Sequence, residues 1–284
     1  MKGIIIKGIG GFYYVKAADG VVYECRARGI FRKDGIKPTV GDEVEFEGGS
    51  VTKIEPRRSY LIRPSVANID NLVIVIAAAN PTPDLFLTDK LAVAAEASGI
   101  TPVICVNKSD LADYDKICDI YEKAGYRVIV MSAKEALGAE ELRAVIKGRV
   151  SAFAGLSGVG KSSILNLLSG EAAETGEVSK INRGRHTTRH VELFELEENT
   201  FILDTPGFSS LSISDICSVK ADELADYFPE LATAQGECRF KGCSHINEPD
   251  CAVKAMVGEG VAQSRYDSYK ELYNQLKDIK EWEK

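Results

Sequence analysis

A chain of 284 residues, 45% hydrophobic and 27% charged, has the make-up of a soluble globular protein with room for two or three modules. No apolar run approaches the roughly 18 residues that cross a bilayer, and no leader-like block stands at the start, so the sequence predicts a cytoplasmic protein with no membrane partner. A net charge of −7 argues against general coating of nucleic acid, and seven scattered cysteines, an odd number, do not suggest a disulfide framework.

The first 63 residues read as short strands. "GFYYVKA", "VVYECRA" and "DEVEFE" mix β-branched and aromatic residues and are separated by the turn signals "ADG", "KDG" and "EGG". Such spacing predicts a small barrel, of the OB type or the SH3-like type. This stretch holds 12 Lys/Arg against 8 Asp/Glu, a surplus of four positive charges, which leaves −11 on the remainder. Arg26, Arg28, Arg32, Lys33, Arg57 and Arg58 are candidates to face nucleic acid, or an ordinary solvated surface.

From Ile69 the texture changes. "NLVIVIAAA" is the continuous apolar run of a strand buried on both faces. A helix over 85–98, the strand "TPVICVN", a helix near 114–124, the strand "RVIVMS", a helix near 139–147 and the strand "VSAFAG" follow. This alternation predicts an α/β domain with a mostly parallel sheet. "VELFEL" and "TFILDT" add an antiparallel pair. Beyond Leu211 the strand signals stop, and the tail reads as helical around a cysteine cluster. The expected parts are a barrel over 1–65, an α/β domain over 66–215 and a helical tail over 216–284.

The chemistry starts at "GLSGVGKSS". Gly155, Leu156, Ser157, Gly158, Val159, Gly160, Lys161, Ser162 and Ser163 follow a strand and open a helix, and they fit the phosphate-loop pattern G-x-x-x-x-G-K-[ST]. Glycines let backbone N–H groups turn toward phosphate oxygens, and a helix N-terminus favours anions. Lys161 would reach the β- and γ-phosphates and Ser162 would ligate Mg²⁺.

The base is read elsewhere. In "VNKSD", Asp110 can accept from both N1–H and the exocyclic amine of guanine, whereas adenine presents an acceptor at N1. Lys108 would lie along the ring and Asn107 would brace the loop. In "MSAK", Ser132, Ala133 and Lys134 follow the next strand, where a backbone N–H can meet guanine O6. "DTPG" supplies Asp204 for Mg²⁺ through water and the Gly207 N–H for the γ-phosphate. Thr187 or Thr188, within "RGRHTTRH", would complete the magnesium shell in a segment ordered by GTP and released after hydrolysis.

A Ras-like domain presents its phosphate loop first and N-K-x-D late. Here the order is N-K-x-D, S-A-K, phosphate loop, switch threonines, D-x-x-G, which is a circular permutation. The fold class is therefore α/β, a circularly permuted Ras-like P-loop core with an N-terminal OB-type barrel and a C-terminal helical unit. In that unit Cys238-x₄-Cys243-x-His245-x₅-Cys251 offers three thiolates and an imidazole, the donor set of one closed, structural zinc site. Cys25, Cys105, Cys118 and Cys217 read as packed apolar residues.

These motifs, in this order and over nearly the whole chain, resemble the RsgA (YjeQ) family of small ribosomal subunit biogenesis GTPases. The resemblance implies GTP hydrolysis late in maturation of the 30S subunit, binding to 16S rRNA and stimulation by that particle. It points to His186 as the residue that orients the attacking water, since Phe208 stands where many GTPases carry glutamine. Contact with RNA phosphate or solvent is the competing role for His186. Lys161, Thr188 and His186 form the expected catalytic set. The competing readings of the whole are an RNA-binding zinc module for which GTP is a structural ligand, and a metabolic P-loop kinase, against which "NKSD" counts. Nothing in the sequence suggests a coiled coil, and a monomer is expected.

Overall fold

A computed structural model describes residues 1–29, 31, 35–170, 191–205 and 211–277. Strands β1 (Lys2–Ile9), β2 (Phe12–Ala17), β3 (Val22–Ala27), β4 (Glu43–Glu47) and β5 (Ser50–Ile54) close into a barrel in the order β1-β2-β3-β5-β4. The parallel pairing of β3 with β5 is the connection of an OB-type barrel, which decides between the two barrels the sequence allowed. Alternation along each strand sends Ile5, Val15, Cys25, Val44, Phe46 and Val51 inward to a core of its own. A short hairpin, β6 (Tyr60–Leu61) with β7 (Val66–Ala67), leads to the next sheet.

That sheet has six strands in the order β10-β9-β8-β11-β13-β12. β8 (Asn71–Ala77), β9 (Thr101–Asn107), β10 (Arg127–Val130), β11 (Val150–Ala154) and β13 (Thr200–Asp204) run parallel, and β12 (Phe194–Glu197) is an antiparallel edge. Every residue of β8 is buried, as its unbroken apolar run requires. Leu72, Ile74 and Ile76 face one layer of helices; Val73, Val75 and Ala77 face the other. The layer on the first side is α1 (Leu85–Ala97) and α2 (Asp115–Lys123); α3 (Ala139–Ile146) and α4 (Lys161–Ser169) cover the second. The phosphate-loop strand β11 lies in the middle of the sheet, between β8 and β13, although it is the fourth of the sheet's strands in chain order.

The tail adds α5 (Ile213–Ile216), opened by a capping box of Ser212 and Asp215, then a 3-10 turn (Leu224–Tyr227), α6 (Pro229–Ala232), α7 (Ala252–Met256) and α8 (Gln263–Lys277). α1 lies between the sheet and this tail, which is why nine consecutive residues, Leu87 to Ala95, are buried. Arg265 of α8 is fully buried there. It donates to Glu230 Oε1 at 2.6 Å and Oε2 at 3.0 Å, and to Asp89 Oδ1 of α1 at 2.8 Å. Among the described residues no helix is long and apolar enough to cross a membrane.

Candidate functional site

The residues of the phosphate loop connect β11 to α4. Gly155 (φ 140°) passes so close to β8 that a Cβ would fall 2.2 Å from the Val75 carbonyl oxygen. Gly160 (φ 98°) caps α4, and a Cβ there would fall 2.3 Å from Asn107 Nδ2. Both positions need glycine for space as well as for backbone angle. The ammonium of Lys161 is folded back on the loop, donating to the carbonyls of Gly155 and Leu156 at 2.8 Å each. Burial lowers its pKa and the Asp204 carboxylate opposes the shift. An anion in the loop would offer this ammonium a stronger acceptor than two carbonyls.

Asn107 ties the two halves of the cleft together. Its Nδ2 donates to the Val159 carbonyl at 2.8 Å, and its Oδ1 accepts from the Ala133 N–H at 3.1 Å. One buried side chain thus joins N-K-x-D to the phosphate loop and to S-A-K. Ser132 Oγ donates to Asp110 Oδ1 at 2.8 Å, and the Lys134 ammonium lies 3.9 Å from Oδ2. These contacts fix the plane of the carboxylate that the sequence assigns to the base. Lys108 (φ 60°) donates to the Asn80 carbonyl, which stretches its stem across the loop. Asp204 ends β13 opposite Phe153 of β11. A serine hydroxyl and a carboxylate are hard oxygen donors, so Ser162 and Asp204 fit a magnesium ion brought in with nucleotide. His186, Thr187, Thr188, Gly207 and Phe208 lie outside the described residues, as do Arg32 and Lys33.

The cysteine cluster is a compact donor set. One ligand atom from each of Cys238, Cys243, His245 and Cys251 lies within 4.8 Å of the others. His245 Nδ1 is 3.3 Å from Cys251 Sγ and 3.6 Å from Cys238 Sγ, and these two sulfurs are 3.9 Å apart. The edges of a tetrahedral zinc site are about 3.6–3.8 Å, given Zn–S bonds of about 2.3 Å, so the four could hold zinc with little movement. Positioning groups that no motif announces surround them. Glu248 accepts from the N–H groups of Ser244, Ile246 and Asn247 and from Ser244 Oγ. Burial alone would raise the carboxyl, but these hydrogen bonds bring its pKa down to about 2. They hold the loop in which His245 takes a positive φ of 59°. From α8, Tyr266 donates to the His245 carbonyl and Tyr269 to that of Ser244, both at 2.7 Å. Of the scattered cysteines, Cys25, Cys105 and Cys217 are buried, and burial pushes the latter two up to about 12. Cys118 is half-buried on α2 and packs against the larger core cluster.

The basic surplus of the barrel is largely neutralised by geometry. Lys7 pairs with Glu192 at 2.7 Å, Lys16 with Glu195, Arg57 with Asp42 at 2.7 Å and Arg58 with Asp70 at 2.6 Å. Lys2 and Lys53 lie close to Glu45 and Glu55. Arg26, Arg28 and Lys37 have no carboxylate partner among the described residues, and the Arg26 guanidinium stacks 4.4 Å over the Phe12 ring. That corrects the even spread of candidate cations: Arg57 and Arg58 hold the fold together.

The sequence matches the family model described as RsgA GTPase over residues 54–214, and that described as RsgA N-terminal domain over residues 2–53. A small ribosomal subunit biogenesis GTPase RsgA from Agathobacter rectalis is 45% identical over 98% of this chain and 99% of its own. The protein of the same name from Alkaliphilus metalliredigens is 46% identical over 97% and 98%. Among solved structures, YjeQ from Thermotoga maritima superposes with a TM-score of 0.82 at 33% identity, covering 98% of this chain and 99% of that one. YloQ, described as a circularly permuted GTPase, superposes with a TM-score of 0.79 at 37% identity, covering 98% and 96%.

Proposed function

The chain belongs to the RsgA GTPase family, and from that premise we propose that it hydrolyses GTP to GDP and phosphate during late maturation of the small ribosomal subunit. The observation that carries this reading is the Asn107 bridge. Loops whose order in the chain is reversed from the Ras-like one meet in space through a single amide, at hydrogen-bond distance from both partners.

The roles follow from the geometry. Asp110, held by Ser132, accepts from guanine, and the backbone N–H of Lys134 is assigned to O6, since that of Ala133 is given to Asn107. The glycines of 155–160 and the open N-terminus of α4 receive the phosphates, and Lys161 leaves two carbonyls to neutralise charge that develops in transfer. Ser162, Asp204 and Thr188 are the proposed holders of magnesium, which supplies charge neutralisation between the β- and γ-phosphates. Gly207 is assigned to the γ-phosphate and His186 to the attacking water, on the family pattern. With Phe208 beside Gly207, no side-chain amide is available there to orient water, so slow turnover is expected until the particle is bound.

Residues 1–65, 66–215 and 216–284 serve as rRNA-binding barrel, GTPase core and zinc-bearing tail. Arg26 on Phe12, with Arg28 and Lys37, is the part of the barrel offered to 16S rRNA, because an exposed cation beside an aromatic face suits phosphate and stacked base together. Zinc on Cys238, Cys243, His245 and Cys251 is structural. The protein works in the cytoplasm as a monomer. The test is GTP hydrolysis by the purified protein with and without isolated small subunits, with Lys161→Ala as control. A large rise that needs both the subunit and Lys161 supports the reading. Bound nucleotide with no rise in turnover would overturn it.

A further inference from the structure

We infer that Asn80, in the loop between β8 and α1, is a positioning residue for the guanine base: its carbonyl oxygen holds the Lys108 ammonium, so that the lysine stem is laid along the base plane before nucleotide arrives. The inference rests on the guanine-nucleotide reading above and concerns a residue that none of the nucleotide motifs includes.

Lysine gives up more side-chain freedom than most residues when it is fixed in one geometry. Here both of its ends are fixed. Its backbone lies in the N-K-x-D loop, where the Ser109 N–H donates to the Met131 carbonyl at 3.1 Å and the Lys108 carbonyl accepts from the Leu111 N–H at 2.9 Å. At the other end its ammonium donates to the Asn80 carbonyl. The stem between these points is the part of the side chain assigned to the face of the ring. A stem already extended loses less entropy when the base binds.

The acceptor is itself held. The loop of residues 79–83 has five members, two of them the prolines Pro81 and Pro83, whose rings fix φ. At its start the Ala78 N–H donates to the Asn107 carbonyl at 2.8 Å. At its end Asp84 caps α1: its carboxylate accepts from the Leu87 N–H at 2.9 Å and its carbonyl from Thr88 Oγ1 at 2.8 Å. The same loop rests against the phosphate loop. A Cβ placed on Gly158 would lie 3.9 Å from Pro81 Cδ, and Thr82, Pro83 and Asp84 share with Gly155, Leu156 and Val159 a void of about 10 Å³. One short segment thus touches the lysine of the base side and the loop of the phosphate side on the exposed flank of the cleft. Asn107 joins the same two loops in the buried interior.

The residue type suits the backbone. Asn80 has φ 47°, a left-handed conformation that asparagine tolerates, glycine adopts freely and a β-branched residue resists. The grip uses the main-chain carbonyl, so a substitution that keeps this angle keeps the grip, and one that refuses it loses the grip.

The test compares Asn80→Val, Asn80→Gly, Lys108→Met and the double variant Asn80→Val with Lys108→Met, all in the full chain. Affinities for GDP and GTP, kcat and KM for GTP, and the thermal midpoint without nucleotide are measured. Asn80→Val is expected to weaken GDP and GTP alike by about tenfold, the loss of one hydrogen bond from a charged donor. The loss is expected in KM rather than in kcat, as for an interaction made equally in ground and transition states. Asn80→Gly is expected to recover most of the affinity. Because both changes break one bond, the double variant is expected to bind as Lys108→Met does alone. Additive losses in the double variant would overturn the inference, since they mark a loop that acts without the lysine. So would full affinity in a folded Asn80→Val, or a glycine variant no better than the valine one. If Asn80→Val does not fold, Asn80→Ala is read by the same criteria. A wild-type protein that binds GDP no better than ADP would remove the guanine reading, and this inference with it. One that binds GTP without turning it over would refute the hydrolase reading alone, and the GDP affinities would still judge Asn80.

Discussion

At the scale of single residues, the carboxylate proposed to read the base is the sharpest case. Asp110 has one oxygen engaged by Ser132 and sits 9% exposed, so its remaining lone pairs have a fixed direction. Asn in its place would present an N–H₂ to the two guanine donors. Asp110→Asn is expected to weaken GTP roughly a hundredfold, since a site built to satisfy particular donors penalises a mismatch heavily. It is also expected to favour xanthosine triphosphate, whose C2 oxygen accepts where guanine donates. Competition against a fluorescent nucleotide measures both; equal loss for the two bases would remove Asp110 from the base. Glu248 makes the second case. Its carboxylate collects four donors that shape the loop of His245. Groups that orient a metal ligand are commonly worth 10- to 100-fold in metal affinity, so Glu248→Ala is expected to speed zinc release to a chromogenic chelator by about that factor. A release rate equal to wild type would reduce Glu248 to a surface turn. The candidate ligands could be read from the sequence because cysteine spacing is itself a chemical signature. Glu248 could not, because a carboxylate near a proline has many ordinary uses.

At the scale of elements, α1 is the helix on which the parts converge. Its buried stretch Leu87–Ala95 is apolar except for Thr88, Asp89 and Lys90, and the two charges point to different neighbours. Arg265 is surrounded by Asp89, Glu230 and the rings of Tyr126 and Phe228, the ring centroids 5.2 Å and 4.6 Å from its guanidinium carbon. Removing the guanidinium leaves two buried carboxylates unpaired, which typically costs about 3–5 kcal/mol. Arg265→Met is therefore expected to lower the unfolding midpoint by roughly 10 °C in a chain of this size. Adding Asp89→Asn and Glu230→Gln should recover part of that loss, and a calorimetric scan of the three variants decides. If the single variant unfolds with wild type, the cluster contributes nothing net. This cluster shows where reading the sequence stops. Strands and helices of the central domain follow from period and turn signals, and the motifs at strand ends follow from nucleotide chemistry. "SRYDSYKELY" reads as a solvated helix with mixed charge, yet its arginine is fully buried. The reason is physical: the partners Asp89 and Glu230 lie 176 and 35 positions away, and no local pattern records a contact across that distance.

At the scale of the whole molecule, the barrel and the tail are attached in different ways. The barrel has its own apolar core, Ile5, Val15, Val44, Phe46 and Val51 among it. It meets the central domain through Lys7–Glu192, Lys16–Glu195, Arg58–Asp70, the bonds from Leu193 N to Ile6, Ala67 N to Val40 and Asn68 Nδ2 to Gly41, and an apolar contact of buried Val40 with Ile4 and Ile6. The tail has no such independence. Phe228, Val253, Tyr269 and Leu272 belong to one continuous cluster with Leu91, Ile120 and Tyr121 of the central domain. Cutting the chain after residue 215 would uncover that face and take Arg265 from Asp89, whereas removing residues 1–56 would uncover ion-pairing side chains and the smaller apolar contact of Val40, Ile4 and Ile6. The chain lacking the tail is thus expected to aggregate or to unfold well below the intact protein. The chain lacking the barrel is expected to keep a cooperative transition and to bind nucleotide within a few-fold of wild type. Because exposed ion pairs weaken with salt, the isolated barrel's contribution to the midpoint should also shrink between 0.05 and 0.5 M salt, concentrations that bracket a Debye length of about 10 Å. Thermal unfolding and nucleotide titration of the two truncations settle the point: a stable, nucleotide-competent chain ending at residue 215 would mean that the tail with its Cys/His cluster is a separate domain, and that the buried arginine merely docks it.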